Sequence, residues 1–192
     1  MDRATKIFWG LVTGLSAASG FFAYDTIRLR GALAQATATV ATGDVVSLVS
    51  VFDGDSLVVR NPTGEDVSLR IVGIKALETS QGKDAVAHYA TAARAALEKS
   101  LENHAIRVLA GTPPKDRHGR SLATLFVEDE DVALRLVKEG HVLVYTAYPF
   151  PMMQRYLDEQ ARARADRKGF WAEPAASSRA DALLKLWRRE AP

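Results

Sequence analysis

The sequence predicts an α+β domain: a five-stranded Greek-key barrel with helices packed on it, preceded by an N-terminal transmembrane helix. Three observations carry this expectation. Five short runs rich in Val, Leu and Ile have the length and composition of strands. The pair Asp53-Gly54 joins the first two runs, a strong hairpin signal. A helical pattern is inserted between the third and fourth runs, and two more follow the fifth.

The chain opens with IFWGLVTGLSAASGFFAY, Ile7 to Tyr24, uncharged over about 18 residues, where about 17 suffice to cross a bilayer. Arg3 and Lys6 precede it, and Asp25, Arg28 and Arg30 follow. Residues 1–30 are therefore expected to be a single-pass membrane anchor, with residues 7–24 in the lipid. The alternative is a cleaved signal peptide, cut after Ser16-Ala17-Ala18 or Ala32-Leu33-Ala34, which would make the protein secreted or periplasmic. Basic residues on both flanks leave the orientation open. Residues 31–43 are Ala/Thr-rich and uncharged, as suits a linker.

Residues 44–172 carry the folded pattern. DVVSLVSVF and DSLVVRN are the first two strands, and Asn61-Pro62-Thr63-Gly64 is a turn. Val67 to Ile74 is the third, with Val67, Leu69 and Ile71 on one face and Ser68 and Arg70 on the other. Lys83 to Glu98 reads as a helix with an apolar stripe of Val86, Ala90, Ala93 and Leu97. Ala105 to Ala110 is the fourth strand, Gly111 to Arg120 a polar loop, and Ser121 to Val127 the fifth strand. Helices are expected over Val132–Glu139, ended by Gly140, and over Met152–Lys168, ended by Gly169. The tail, residues 173–192, places Ala180, Leu183, Leu184 and Trp187 on one helical face, which docks on the domain or lies on a membrane surface. This element order makes the OB-fold the obvious barrel. Such barrels often bind oligonucleotides, but the fold alone does not establish a function.

Composition narrows the chemistry. The chain has 192 residues and a formal net charge of +2, too mild to announce a nucleic-acid binder. It has no cysteine, which excludes disulfides, thiol catalysis and cysteine-ligated metals. His88, His104, His118 and His141 lack metal-ligand spacing, and Gly82-Lys83 lacks the upstream glycine of a phosphate-binding loop. What remains is three polar clusters: Asp53-Gly54-Asp55 at the hairpin tip, Arg70 with Glu78, and Asp116-Arg117-His118-Gly119-Arg120. Each alone reads as turn chemistry, a surface ion pair or a solvated loop. Together they hold what phosphodiester hydrolysis needs. Arginines meet the charge that builds on the non-bridging oxygens, and a carboxylate orients or deprotonates water. A hard cation such as Ca²⁺ would take oxygen ligands.

The ordered blocks VFDGDSLVV, RIVGIKALE, DRHGRSLATLFV, LRLVKEGHVLVY and ARARADRKGFW resemble the thermonuclease, or staphylococcal nuclease-like, family over about Val45 to Trp171. The resemblance implies an OB-fold barrel and Ca²⁺-dependent hydrolysis of DNA and RNA. It makes Asp55 a metal ligand, Asp53 a support of the turn and metal shell, and Glu78 the water-orienting carboxylate. Arg70 and Arg120 become the phosphate-binding arginines, and Tyr145 and Tyr148 fall in the nucleotide-stacking region. Three positions depart from the family pattern. Lys75 stands where it has a second metal-ligating aspartate, Leu77 where it has proline, and His118 where it has tyrosine. Lys75 exchanges a carboxylate for an ammonium, so weak or absent Ca²⁺ binding is expected. Two outcomes follow. Either weak hydrolysis persists, or the domain is a pseudonuclease with a basic groove of Arg70, Lys75, Lys115, Arg117 and Arg120 for single-stranded DNA or RNA. A membrane-anchored protein-interaction scaffold is the third class.

Overall fold

A computed structural model describes residues 38–77 and 86–190, together with Asp2, Ser19 and Phe22. The chain divides into two compact units, Met1–Ala38 and Thr39–Pro192. The expected membrane helix at 7–24 lies outside the described residues, apart from Ser19 and Phe22, which are helical. Among the described residues no helix is long and apolar enough to cross a membrane.

The second unit is built on strands β1 (Val45–Val51), β2 (Ser56–Arg60), β3 (Asp66–Ile71), β5 (Ile106–Lys115) and β6 (Ser121–Val127). Their order is β3-β2-β1-β5-β6, and a parallel β3–β6 pairing closes the sheet on itself. The result is the expected five-stranded barrel. Leu57, Leu69, Ile71, Ile106 and Leu125 are completely or almost completely buried within it. The alternation of Val67, Leu69 and Ile71 is the reason: a period of two turns all three inward. The Asp-Gly pair sits in the β1–β2 hairpin, with Val51 opposite Leu57.

The third run is not one strand. It bends at Gly73, and β4 (Ile74–Ala76) leaves the barrel to pair antiparallel with β8 (Val142–Val144). Gly73 has φ +80°, and a Cβ there would lie 2.5 Å from the Phe150 ring. Gly73→Ala therefore adds both left-handed strain and a clash. It is expected to destabilise the fold by about 3 kcal/mol, read as a lower urea midpoint. The fourth run also departs from expectation. β5 continues through Pro113-Pro114 to Lys115, which is opposite Ser121 after an irregularity in the ladder. A proline-bearing segment can stay extended at such an irregularity because its missing N–H is not needed there. A short β7 (Glu130–Asp131) folds back to pair antiparallel with the end of β6.

Helix α1 (Ala87–Leu101) buries Ala93, Leu97 and Leu101. Asp131 caps α2 (Val132–Lys138) by accepting from the Leu134 N–H, and its second oxygen accepts the buried Tyr156 hydroxyl at 2.7 Å. That bond ties α3 (Met153–Ala165) to α2. α3 ends three residues before its expected limit, and Arg167 then takes φ +53°. A 3-10 turn (Gly169–Ala172) leads to α4 (Pro174–Glu190), whose helix includes the Ala/Ser-rich start of the tail. Ala176, Ala180, Leu184 and Trp187 are buried in one cluster with Phe170, Trp171 and Leu143. The apolar face of the tail thus docks on this second core.

Candidate active site

Register builds the site. Antiparallel β2–β3 pairing sets Ser56 opposite Arg70, and parallel β3–β6 pairing sets Arg70 opposite Leu122, two residues beyond Arg120. Residues far apart in sequence become one hydrogen-bonded chain. Arg120 Nη1 donates to Ser56 Oγ (3.1 Å), which donates to Asp55 Oδ1 (3.0 Å). The same carboxylate oxygen pairs with Arg70 Nη1 at 2.5 Å.

Asp55 is 4% exposed. Its Oδ2 accepts the Ala76 N–H of β4 at 2.8 Å. Asp53 is exposed, and its Oδ1 accepts the Asp55 N–H at 2.8 Å, which fixes the hairpin tip. Gly54 between them is buried, and a Cβ there would lie 2.6 Å from the Ala93 Cβ and 2.9 Å from the Ala76 Cβ. Its lack of a side chain is what lets α1 and β4 close over the hairpin. Burial pushes the Asp55 carboxyl above its ordinary value of 3.8; Arg70 opposes this, and Asp53 adds to it.

Arg70 is anchored twice more, with Nη1 donating to the Asp55 carbonyl (3.2 Å) and Nη2 to the Ile74 carbonyl (2.7 Å). Among the described residues its acidic partner is Asp55, where the sequence had set it beside Glu78. Glu78 itself lies outside the described residues. Arg120 is the more open arginine, with its side chain 32% exposed against 11% for Arg70.

Asp116 holds Arg120 in place, a role the sequence reading missed although an Asp three residues before a turn glycine, Gly119, offered the signal. Its Oδ2 accepts Arg120 Nε at 2.8 Å, while Oδ1 accepts the backbone N–H of His118 (2.8 Å) and Arg120 (3.0 Å). Gly119 completes the turn at φ +80°. Burial alone would raise the Asp116 carboxyl, but the bonds from Arg120 and His118 outweigh it and hold the group below 3.8. A depressed acid stabilises the fold above its unfolded value and loses that contribution as pH falls through the folded one. Asp116→Asn should therefore lower stability by about 1 kcal/mol at pH 7, with the gap from wild type shrinking below pH ~4 in urea titrations.

The other expected residues are placed as follows. Lys75 is half-buried on β4, opposite Leu143 and directly before the Ala76 N–H that Asp55 accepts. Lys115 ends β5 opposite Ser121. Arg117 is exposed, and its Nε donates to His118 Nε2 at 3.1 Å. Tyr145 and Tyr148 lie together, ring centroids 6.0 Å apart, and Tyr148 is 70% exposed.

These donors bear on the implied Ca²⁺. A Ca²⁺ site needs six or more oxygens, including several carboxylates free of other duties. Asp55 already serves three donors, Asp53 serves the turn, and the residue before Ala76 on β4 is the cationic Lys75 rather than a carboxylate. Among the described residues no group of three or more His, Asp or Glu side chains could hold a metal. This donor set fits a tightly held Ca²⁺ poorly.

Comparison with known proteins agrees with the geometry. The family model for staphylococcal nuclease homologues matches residues 68–173. The thermonuclease of Staphylococcus intermedius is 32% identical over 69% of this chain and 77% of its own length. That of Staphylococcus hyicus is 27% identical over 69% and 78%. An uncharacterized endonuclease of Haemophilus influenzae is 26% identical over 66% and 65%. The names of these relatives, thermonuclease and endonuclease, are those of nuclease-type hydrolases. Closed barrel, arginine-flanked aspartate and aligned sequence converge: the chain belongs to the staphylococcal nuclease homologue family.

Proposed function

We propose that this chain is a weak phosphodiesterase acting on single-stranded DNA or RNA, tethered to a membrane through residues 7–24. The observation that supports it best is the chain Arg120–Ser56–Asp55–Arg70, which holds two guanidinium groups about one buried carboxylate. In this reading Arg120, the more open group, takes a non-bridging phosphate oxygen, and Arg70 adds charge from behind. Glu78 accepts a proton from the attacking water as its oxygen bonds to phosphorus. The ester P–O bond breaks, and the leaving oxygen takes a proton from solvent. Lys75 contributes positive charge where the family pattern places a metal ligand. Divalent-ion dependence is correspondingly shallow. Exposed Tyr148 offers a base a stacking face beside Tyr145.

A second reading, binding without cleavage, is favoured by one observation. Asp55 is engaged by Arg70, Ser56 and Ala76 and is poorly free for an ion. Single-stranded DNA and RNA incubated with Ca²⁺, Mg²⁺, Mn²⁺ or chelator separate the two. Slow cleavage that disappears in Glu78→Ala supports the enzyme. No cleavage under any condition, with salt-sensitive binding retained, supports the binder.

A further inference from the structure

We propose that Ser56 is a positioning residue of the nuclease site: its buried hydroxyl sets the Arg120 guanidinium in register with Asp55 and Arg70. This rests on the reading of the chain as a phosphodiesterase. Arg120 has two anchors of different kinds. Asp116 Oδ2 accepts Nε at 2.8 Å, but Asp116 belongs to the same turn, four residues away, so it fixes the arginine only relative to its own loop. Ser56 Oγ accepts Nη1 at 3.1 Å from β2, 64 residues away in sequence. That second bond crosses the barrel and ties the arginine to the hairpin that carries the buried carboxylate. One hydrogen bond leaves a guanidinium free to pivot, whereas two on different nitrogens fix its plane. Neither anchor takes Nη2, the nitrogen left to meet a phosphate oxygen.

The hydroxyl suits this task for a chemical reason. A serine oxygen accepts and donates at once, so one atom can join a cation to an anion. Ser56 accepts from Arg120 and gives its single proton to Asp55 Oδ1, the oxygen that also pairs with Arg70. The residue is buried at the head of a strand whose next three residues, Leu57, Val58 and Val59, are buried and apolar. Burial alone does not bring such bonds. Ser121, the residue after Arg120, is also buried, and its Oγ has no hydrogen-bond partner among the described residues. Phosphoryl transfer depends on how accurately cations meet the non-bridging oxygens, and a misplacement of about 1 Å can cost about a hundredfold in rate. Loss of the Ser56 hydroxyl should leave the charge of Arg120 near the substrate and lose its aim.

The test is single-turnover cleavage of a labelled oligothymidylate by the full chain in non-ionic detergent with excess Ca²⁺. The saturated rate and the half-saturating protein concentration are read separately. Ser56→Ala should lower the saturated rate about tenfold and move the half-saturating concentration by less than about threefold. Ser56→Cys keeps the side-chain volume with only a weak donor and should lose rate to a similar degree, whereas Ser56→Thr keeps the hydroxyl and should recover most of it. Ser121→Ala removes a buried hydroxyl that bonds to nothing among the described residues and should leave both readings unchanged. In an Arg120→Lys background, where the guanidinium fork is gone, Ser56→Ala should cost less than about twofold. A wild-type rate in Ser56→Ala and Ser56→Cys overturns the proposal. So does an undiminished loss in the Arg120→Lys background, which would mean that the hydroxyl acts through Asp55 and the hairpin. In both cases wild type still cleaves and the nuclease reading stands. No cleavage by wild type removes both.

Discussion

Arg70→Met is expected to destabilise the fold by about 3–5 kcal/mol at pH 7.5, because it strands a buried carboxylate. Asp55 is 4% exposed, and among the described residues the cation paired with it is Arg70. The loss should depend on pH with a definite sign. The Asp55 carboxyl already lies above 3.8 because burial outweighs Arg70. A raised acid favours the fold below its unfolded value and loses that contribution as pH rises through the folded one. Without Arg70 the carboxyl rises further, so ionising it becomes more costly to the folded state. The gap between wild type and variant should grow as pH rises from about 4 to 8 and nearly close at the acid end. Urea titrations at several pH values check this. An equal loss at every pH would show that Arg70 acts by packing its stem. Double replacement with Asp55→Asn should recover much of the loss, because the stranded charge is then gone.

The second large effect is a gain. Lys75→Asp restores a carboxylate beside Asp55 and removes a repelling ammonium, a change of two charge units. It should raise Ca²⁺-stimulated cleavage of single-stranded DNA by about tenfold or more, since each ~1.4 kcal/mol of added stabilisation is a factor of ten. The matched control, Lys75→Ala, removes repulsion without adding a ligand and should give a smaller Ca²⁺ response. Equal responses in the two variants would mean that charge repulsion, not the missing oxygen, limits ion binding. No response in either would place the defect elsewhere, most simply in the engagement of Asp55 by its three donors.

How much of this was legible in the sequence depends on how local each signal is. The β1–β2 hairpin announces itself because Asp53-Gly54 is turn chemistry between two valine-rich runs. The inward face of β3 is written in Val67, Leu69 and Ile71, since alternation maps directly onto a two-sided strand. Ser121–Val127 was legible to the residue for the same reason. The misses are non-local. β4 and β8 have three residues each, too few for a period, and each exists because the other is there. β5 runs through two prolines because the ladder is irregular at that point, a property of its neighbour β6.

The site divides in the same way. Its residue types were readable, but its pairings were not. Arg70 meets Asp55, fifteen positions away, because the β2–β3 register sets Ser56 against Arg70. Ser56 reaches Arg120 only because β3 and β6 close the barrel. Asp116 was visible as part of a charged loop, and only the folded turn shows that one of its oxygens organises the loop backbone while the other aims the arginine. Trp187 could be assigned to an apolar helical face, but not to the edge of Tyr145.

We propose that cations of the protein itself serve this site in place of a tightly held Ca²⁺. The direct measurement is the cleavage rate of single-stranded DNA by wild type in excess Ca²⁺ and in excess chelator, with Glu78→Ala alongside. Slow cleavage is expected in both, differing by less than about tenfold, and abolished by Glu78→Ala. Cleavage that is rapid in Ca²⁺ and absent in chelator would contradict it, because Asp55 and its neighbours would then hold the ion despite Lys75.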